Sequence, residues 1–522
     1  MESAAKNDQY WGKFTVLPAD LDYLVNFLLE GEDPKTIEGL TIALIEHRCQ
    51  QLESLMQESL SRGRVYRPGE TYAEGETLIF PHLGSVLGEV VSVRPGHNPE
   101  CEPFSVIRVR MEGGTEREFA AELQSGHSLD EATYVPAGEV GADELYAQYG
   151  EQIKKLLRES LERDSHFVAV AGKWFVRDLV MEVTPVQLNI AEAMLDMTGG
   201  EPLPTTAFLN EMDLPKEIPQ PLQIFSLEYA LERDRRFDEV GPSGQASWCL
   251  RRMEPKQVLE TPPHLRYVPI PYNRNFLDEM MLSLEMQVDD EWSEMPFEGA
   301  LEGTDTLTVT LTYPHWRSGT LPLTSKLIHF FPTARLADHV RFTFVDGHTG
   351  KSFPGWVVRS GRYVYGLSSF YEEYKVEPGS YFDLTHGAEP GSIVVSTRPF
   401  RSRRGEWLRT VSVDGDAFSF EVTRYPVLCE FDELTAIGVP DPKAVDALGE
   451  RLRHLALGSL IKRVFQGVAV LSLQRAVHAA TLYSVLNLLR RVPLAPMLAV
   501  LTTERQDYVS LGDHYWAYKG ED

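Results

Sequence analysis

The chain contains no apolar run of the ~18–20 residues that a membrane-spanning helix needs, so a membrane protein is not expected; the longest candidates, such as VAVLSL at 468–473, read as core segments. Cysteine is equally scarce. Cys49, Cys101, Cys249 and Cys429 lie far apart with no CxxC pair, which argues against a zinc ribbon or a disulfide framework and fits scattered reduced thiols. The opening MESAAKNDQYWGKF lacks the basic start and apolar stretch of a secretory signal, so a cytoplasmic protein is expected. Basic residues are also in deficit: 50 Lys and Arg stand against 77 Asp and Glu, a formal charge of −27. Such a field repels phosphate backbones, and any nucleic-acid contact would have to use local basic patches.

Catalytic signatures are missing too. There is no GxxxxGK[ST], GxGxxG, HExxH or GxSxG, so no catalytic residue, metal ligand set or cofactor is expected and the chain does not read as an enzyme. The carboxylates in FVDGHTG (344–350) and VSVDGDAFSFEV (411–422) sit at ordinary Asp-Gly hairpin turns, with no Glu-x-Lys following to complete a metal nuclease.

What is present is a repeat. LERDSHFVAVAGKW (161–174) and LERDRRFDEVGPSGQASW (231–248) share Leu-Glu-Arg-Asp, an aromatic, a valine, glycine and tryptophan, and LTTERQDYVSLGDHYWAYK (501–519) is a weaker third copy. The aromatics are Phe167, Phe237 and Tyr508; the tryptophans are Trp174, Trp248 and Trp516, at spacings of seven, eleven and eight. Variable spacing between fixed aromatics suits two strands joined by a loop of adjustable length, with the aromatics in the core. Before each copy, apolar residues recur at helical spacing, as in Ile153, Leu156, Leu157, Leu161 and in Ile224, Leu227, Ala230, Leu231. Two further helices precede the middle and last copies, whereas the first copy lacks a clear first helix and reads as truncated.

Between the copies lie β-rich stretches, short and glycine-punctuated over residues 66–120 and longer over 300–425, the latter interrupted by the helical SSFYEEYKV. The expected fold is therefore α+β and multi-domain: a helix-turn-helix-like segment (1–65), a small β barrel (66–125), a truncated module (126–185), a middle module (186–256), a proline-rich linker (257–298), a β domain (299–425) and a last module (426–522).

The repeated stretch resembles the winged-helix family, most closely the acidic type typified by the delta subunit of bacterial RNA polymerase; the matching residues are Asp234, Phe237, Val240, Gly241 and Trp248, and Asp164, Phe167, Val170, Gly172 and Trp174. The segment 323–395 resembles the B3-type pseudobarrel of some DNA-binding and restriction proteins. These resemblances imply a nucleic-acid-binding or transcription-associated role. A winged helix that reads DNA places its third helix in the major groove, so the candidate contacts are Lys154, Lys155 and Arg158 on the first copy's helix, Arg235, Arg236, Arg251 and Arg252 around the middle copy, and Arg401, Arg403, Arg404 and Trp407 in RPFRSRRGEWLR (398–409). Glutamates interleave these cations, so two partners stay open: double-stranded DNA through local basic patches, or a protein for which the chain is an adaptor.

Overall fold

The computed structural model describes residues 8–519 apart from 62, 81–82, 84–85, 99–101, 125–126, 128–141, 243–245, 296–305, 334–336, 400–405 and 505. It is a mixed α+β, multi-domain chain that divides into two compact units, Met1–Glu182 with Pro215–Ser226, and Val183–Leu214 with Leu227–Asp522.

Each repeat copy closes a small sheet of three strands, and the strand order is the same in all three: first strand, third strand, second strand. In the middle module these are Leu203–Pro204, Ser247–Leu250 and Phe237–Glu239, with helices Pro185–Met197, Thr205–Leu209 and Gln220–Arg233 between or before them. The local sequence dictates the first helix. Pro185 occupies its first turn, and Thr184 and Gln187 cap one another reciprocally, Gln187 N donating to Thr184 Oγ1 and Thr184 N to Gln187 Oε1. The last module repeats the order with helices Leu457–Ala469, Ala479–Leu489 and Leu494–Thr503 and strands Ala476–His478, Tyr508–Gly512 and Tyr515–Tyr518.

The register is conserved as closely as the order. Trp174, Trp248 and Trp516 pair with the first strand of their own sheets, opposite Lys35, Leu203 and Val477. Phe167, Phe237 and Tyr508 each face the residue two beyond the tryptophan: Val176, Leu250 and Tyr518. All six aromatics are buried, as a core role requires. The adjustable loop is present as well. The first and last hairpins turn on two residues, Ala171–Gly172 and Asp513–His514, all four with positive φ, the geometry that matches strand twist in a tight hairpin. The middle hairpin spans a longer connection that includes 243–245.

Two expected boundaries are corrected. The first module is not truncated: Lys35 and Thr36 pair with Trp174 and Lys173, so helices Pro18–Gly31 and Ile37–Ser61 supply its first two helices and Ala142–Arg163 its third. The boundary drawn at 65 separated residues of one sheet, because a five-stranded sheet of residues 64–121 is inserted between the second and third helices. The ends of that inserted sheet approach each other, with Tyr66 OH donating to Ala120 O at 2.6 Å. Likewise 257–298 is not a bare linker. It carries helix Glu279–Val288, capped by Asp278, and its Leu277, Met281 and Leu284 join the core of the last module. Prolines punctuate the segment, but its apolar residues recur where they can be buried.

The larger β domain is a seven-stranded sheet in which only His339–Asp346 and Ser392–Thr397 run parallel. The expected helix is present as Ser368–Tyr374. A long hairpin, Glu406–Asp414 with Ala417–Tyr425, follows it. Among the described residues no single helix is long and apolar enough to cross a membrane.

Candidate functional site

The residues expected to grip phosphate are largely engaged by the chain's own acids. Arg236 Nη1 donates to Glu192 Oε2 (2.6 Å) and Asn189 Oδ1 (2.8 Å), while its Nη2 meets Asp234 Oδ2 at 2.6 Å. Arg252 takes the other Glu192 oxygen at 2.6 Å and Asp196 at 2.5 Å. The two arginines thus converge on Glu192. Hydrogen bonding to Asp234 holds the Arg236 guanidinium above its ordinary pKa, and the arginine partners hold Glu192 below the usual carboxylate range despite some desolvation. Arg251 Nε lies 3.6 Å from Asp238 Oδ2, and Arg235 is exposed. Arg236, Arg251 and Arg252 are paired charges on a structured surface, and binding a phosphate there would mean breaking those pairs.

On the first module's third helix, Lys154 Nζ meets Glu151 at 2.5 Å and Glu38 at 3.8 Å. Lys155 and Arg158 are exposed there, beside exposed Glu151 and Glu162. The last module's third helix buries Leu494, Ala495, Pro496, Met497, Leu498, Ala499 and Leu501, so it has no free face to lay in a groove. Arg401, Arg403 and Arg404 lie outside the described residues.

Trp407 is different. It is 66% exposed, at the start of the long hairpin, with the Arg424 guanidinium 5.7 Å from its ring. It borders a cleft of about 530 Å³ whose apolar lining includes Leu408, Val422, Phe431, Leu471 and Tyr515. The hairpin contributes one wall and the last module the other. Glu406 and Glu433 stand in the same lining. Its arginine, Arg409, is turned inward and donates to the Leu434 and Ala436 carbonyls. Burial pushes His478 below its ordinary pKa, with His514 beside it acting in the same direction. The cleft therefore sets exposed apolar side chains among polar ones, with an acidic bias. Just beyond the helix Leu457–Ala469, Val470 (65%) and fully exposed Leu473 extend the apolar surface. The sequence singles out Trp407 by its arginine neighbours; Leu471 and Tyr515, which complete the apolar lining, lie more than 60 positions away and carry no local signal.

One cluster among the described residues gathers metal-ligating atoms, those of Asp238, Glu254 and His339. No protein-family model, curated protein or solved structure matches the chain.

Proposed function

We propose that the chain is a non-enzymatic multi-domain adaptor built on three winged-helix-type modules, and that its partner is a protein rather than DNA. The observation that carries this reading is the Trp407 cleft: a largely exposed tryptophan bordering a cleft that presents Leu408, Val422, Phe431 and Leu471 among polar groups is the residue type and setting of an interface hot spot. The acidic groove lining and the net charge of −27 favour a peptide with an apolar or aromatic anchor flanked by Lys or Arg. The self-paired Arg236 and Arg252 and the buried third helix of the last module weigh against groove reading in DNA. The likeness of the repeated stretch to delta-subunit modules supports a transcription-associated partner. Free thiols at Cys249 and Cys429 support a reducing, cytoplasmic setting.

Selection of a displayed library of short random peptides on the full chain tests this. Sequences combining a bulky apolar anchor with basic flanks are expected to be enriched. Trp407→Ala is expected to weaken the selected peptides by about 2 kcal/mol or more, roughly thirty-fold, with no change in the thermal transition, since Trp407 is exposed. Failure to enrich any such sequence, or unchanged affinity in Trp407→Ala, overturns the proposal.

A further inference from the structure

Asp238, Glu254 and His339 reach one point from three segments. Asp238 lies in the middle module's strand Phe237–Glu239, Glu254 follows the short helical turn Arg251–Met253, and His339 begins the strand His339–Asp346 of the large sheet. A backbone hydrogen bond from Arg341 N to Val240 O (2.8 Å) ties the two strands together and sets the spacing. One carboxylate oxygen from each acid and a ring nitrogen of His339 lie within 4.8 Å of one another.

The cluster is polar, buried and incompletely satisfied. The Glu254 side chain has no exposed surface, and its carboxylate approaches His339 Nε2 to 3.0 Å. That is an ion-pair distance, yet neither atom makes an aligned hydrogen bond, and Glu254 Oε1 and Asp238 Oδ2 also lack a hydrogen-bond partner among the described residues. Four unsatisfied polar atoms converging on one place is costly, because each has given up water without a replacement. Protonating the imidazole does not balance two carboxylates, and Arg251, 3.6 Å from Asp238, is itself more than half exposed. A doubly charged cation would satisfy three of them at once, one from each residue.

We propose that Asp238, Glu254 and His339 bind a divalent transition-metal ion, with a remaining coordination position open to the adjoining cleft. That cleft, about 320 Å³, is lined by Asp238 and His339 themselves and by Glu239, Arg251, Asp338 and Ser360. The donor set selects the metal: an imidazole nitrogen suits zinc and its neighbours, whereas magnesium and calcium take oxygen alone. Ligand bonds of about 2.0–2.2 Å put tetrahedral donors about 3.3 Å apart. The Glu254–His339 approach, 3.0 Å, is already near that spacing, and no pair, all lying within 4.8 Å, has to close by more than roughly 1.5 Å on binding. Three protein ligands and an open position are the pattern of an exchangeable site rather than a closed structural one.

The full chain, stripped with a chelator and dialysed against Zn²⁺, is expected to retain about one equivalent by mass spectrometry and to melt at a higher temperature than the stripped chain. His339→Ala is expected to weaken retention by at least roughly ten-fold. Asp238→Asn, at a partly exposed position that keeps the fold by circular dichroism, is expected to do the same. Substituted Co²⁺ should show visible bands without a thiolate charge-transfer band, separating this site from Cys249, which is Asp238's strand partner. A wild-type chain that retains less than roughly a tenth of an equivalent overturns the proposal. So does equal retention by folded Asp238→Asn, or a thiolate band with Co²⁺.

Discussion

Arg491→Ala is expected to destabilise the larger unit by about 3–5 kcal/mol, the cost of leaving buried charges unpaired, and to lower its thermal midpoint by about 10 °C. Arg491 Nη2 meets Asp290 at 2.6 Å and Glu291 at 2.7 Å, Nε donates to Glu291 at 2.9 Å, and Nη1 donates to Asn487 Oδ1 at 3.0 Å. All three charged residues are buried; Tyr483 OH donates to Asp290, and His315 Nε2 lies 3.2 Å from Glu291. The two carboxylates respond oppositely. Burial raises the pKa of Asp290 against the pull of Arg491, whereas Glu291, though just as desolvated, is held down to about 2 by Arg491 and His315 together. One guanidinium therefore joins the end of helix Glu279–Val288 to the end of helix Ala479–Leu489, and Glu291 links the pair on to His315 in helix Tyr313–Ser318. Removing it strands two acids in the core. The triple variant Asp290→Asn, Glu291→Gln, Arg491→Met, which removes every charge, should recover most of the loss. Denaturant titration measures both, and an Arg491→Ala chain within about 1 kcal/mol of wild type would show that the network is solvated and contributes little.

Trp248→Ala is expected to cost about 3–5 kcal/mol, a large core truncation with a cavity left behind, and to unfold the middle module. Trp248 is 2% exposed and packs with Leu195, Phe208, Leu227, Leu231 and Phe237. Its Nε1 donates to Thr205 Oγ1 at 3.0 Å, and that hydroxyl donates to Glu228 at 2.8 Å. The substitution therefore loses packing and also leaves a buried hydroxyl–carboxylate pair short of a donor. Hydrogen exchange should show protection lost over 183–214 and 227–250 and retained in the seven-stranded sheet. Uniform loss throughout, or no loss, contradicts a module with its own core.

The repeat was the legible part of this chain because the residues that recur are those that pack. Phe167, Phe237, Tyr508 and the three tryptophans occupy equivalent buried positions in three sheets of one strand order. Other features needed long-range information. The first module's opening strand is two residues long, Lys35–Thr36, too short for any periodicity, and its third helix begins only after an inserted sheet. Arg236 and Arg252 read as free cations because their partner Glu192 lies 44 and 60 positions away. Arg491 and Asp290 are 201 positions apart, and nothing near either announces the other. Glu254 and His339 carried no motif for the same reason. Local patterning thus reported the core of each module, while the charge partners that bear on function were set by the tertiary fold.

Binding of a fluorescein-labelled DNA duplex, followed by anisotropy at ~50 mM salt, tests the choice between protein and DNA most directly. An acidic chain whose Arg236 and Arg252 are paired internally should give no saturable change at micromolar protein, and reversing Lys155 and Arg158 to glutamate should change nothing. Saturable binding that falls steeply with salt and is lost in Lys155→Glu/Arg158→Glu would contradict the adaptor reading and restore DNA as the partner.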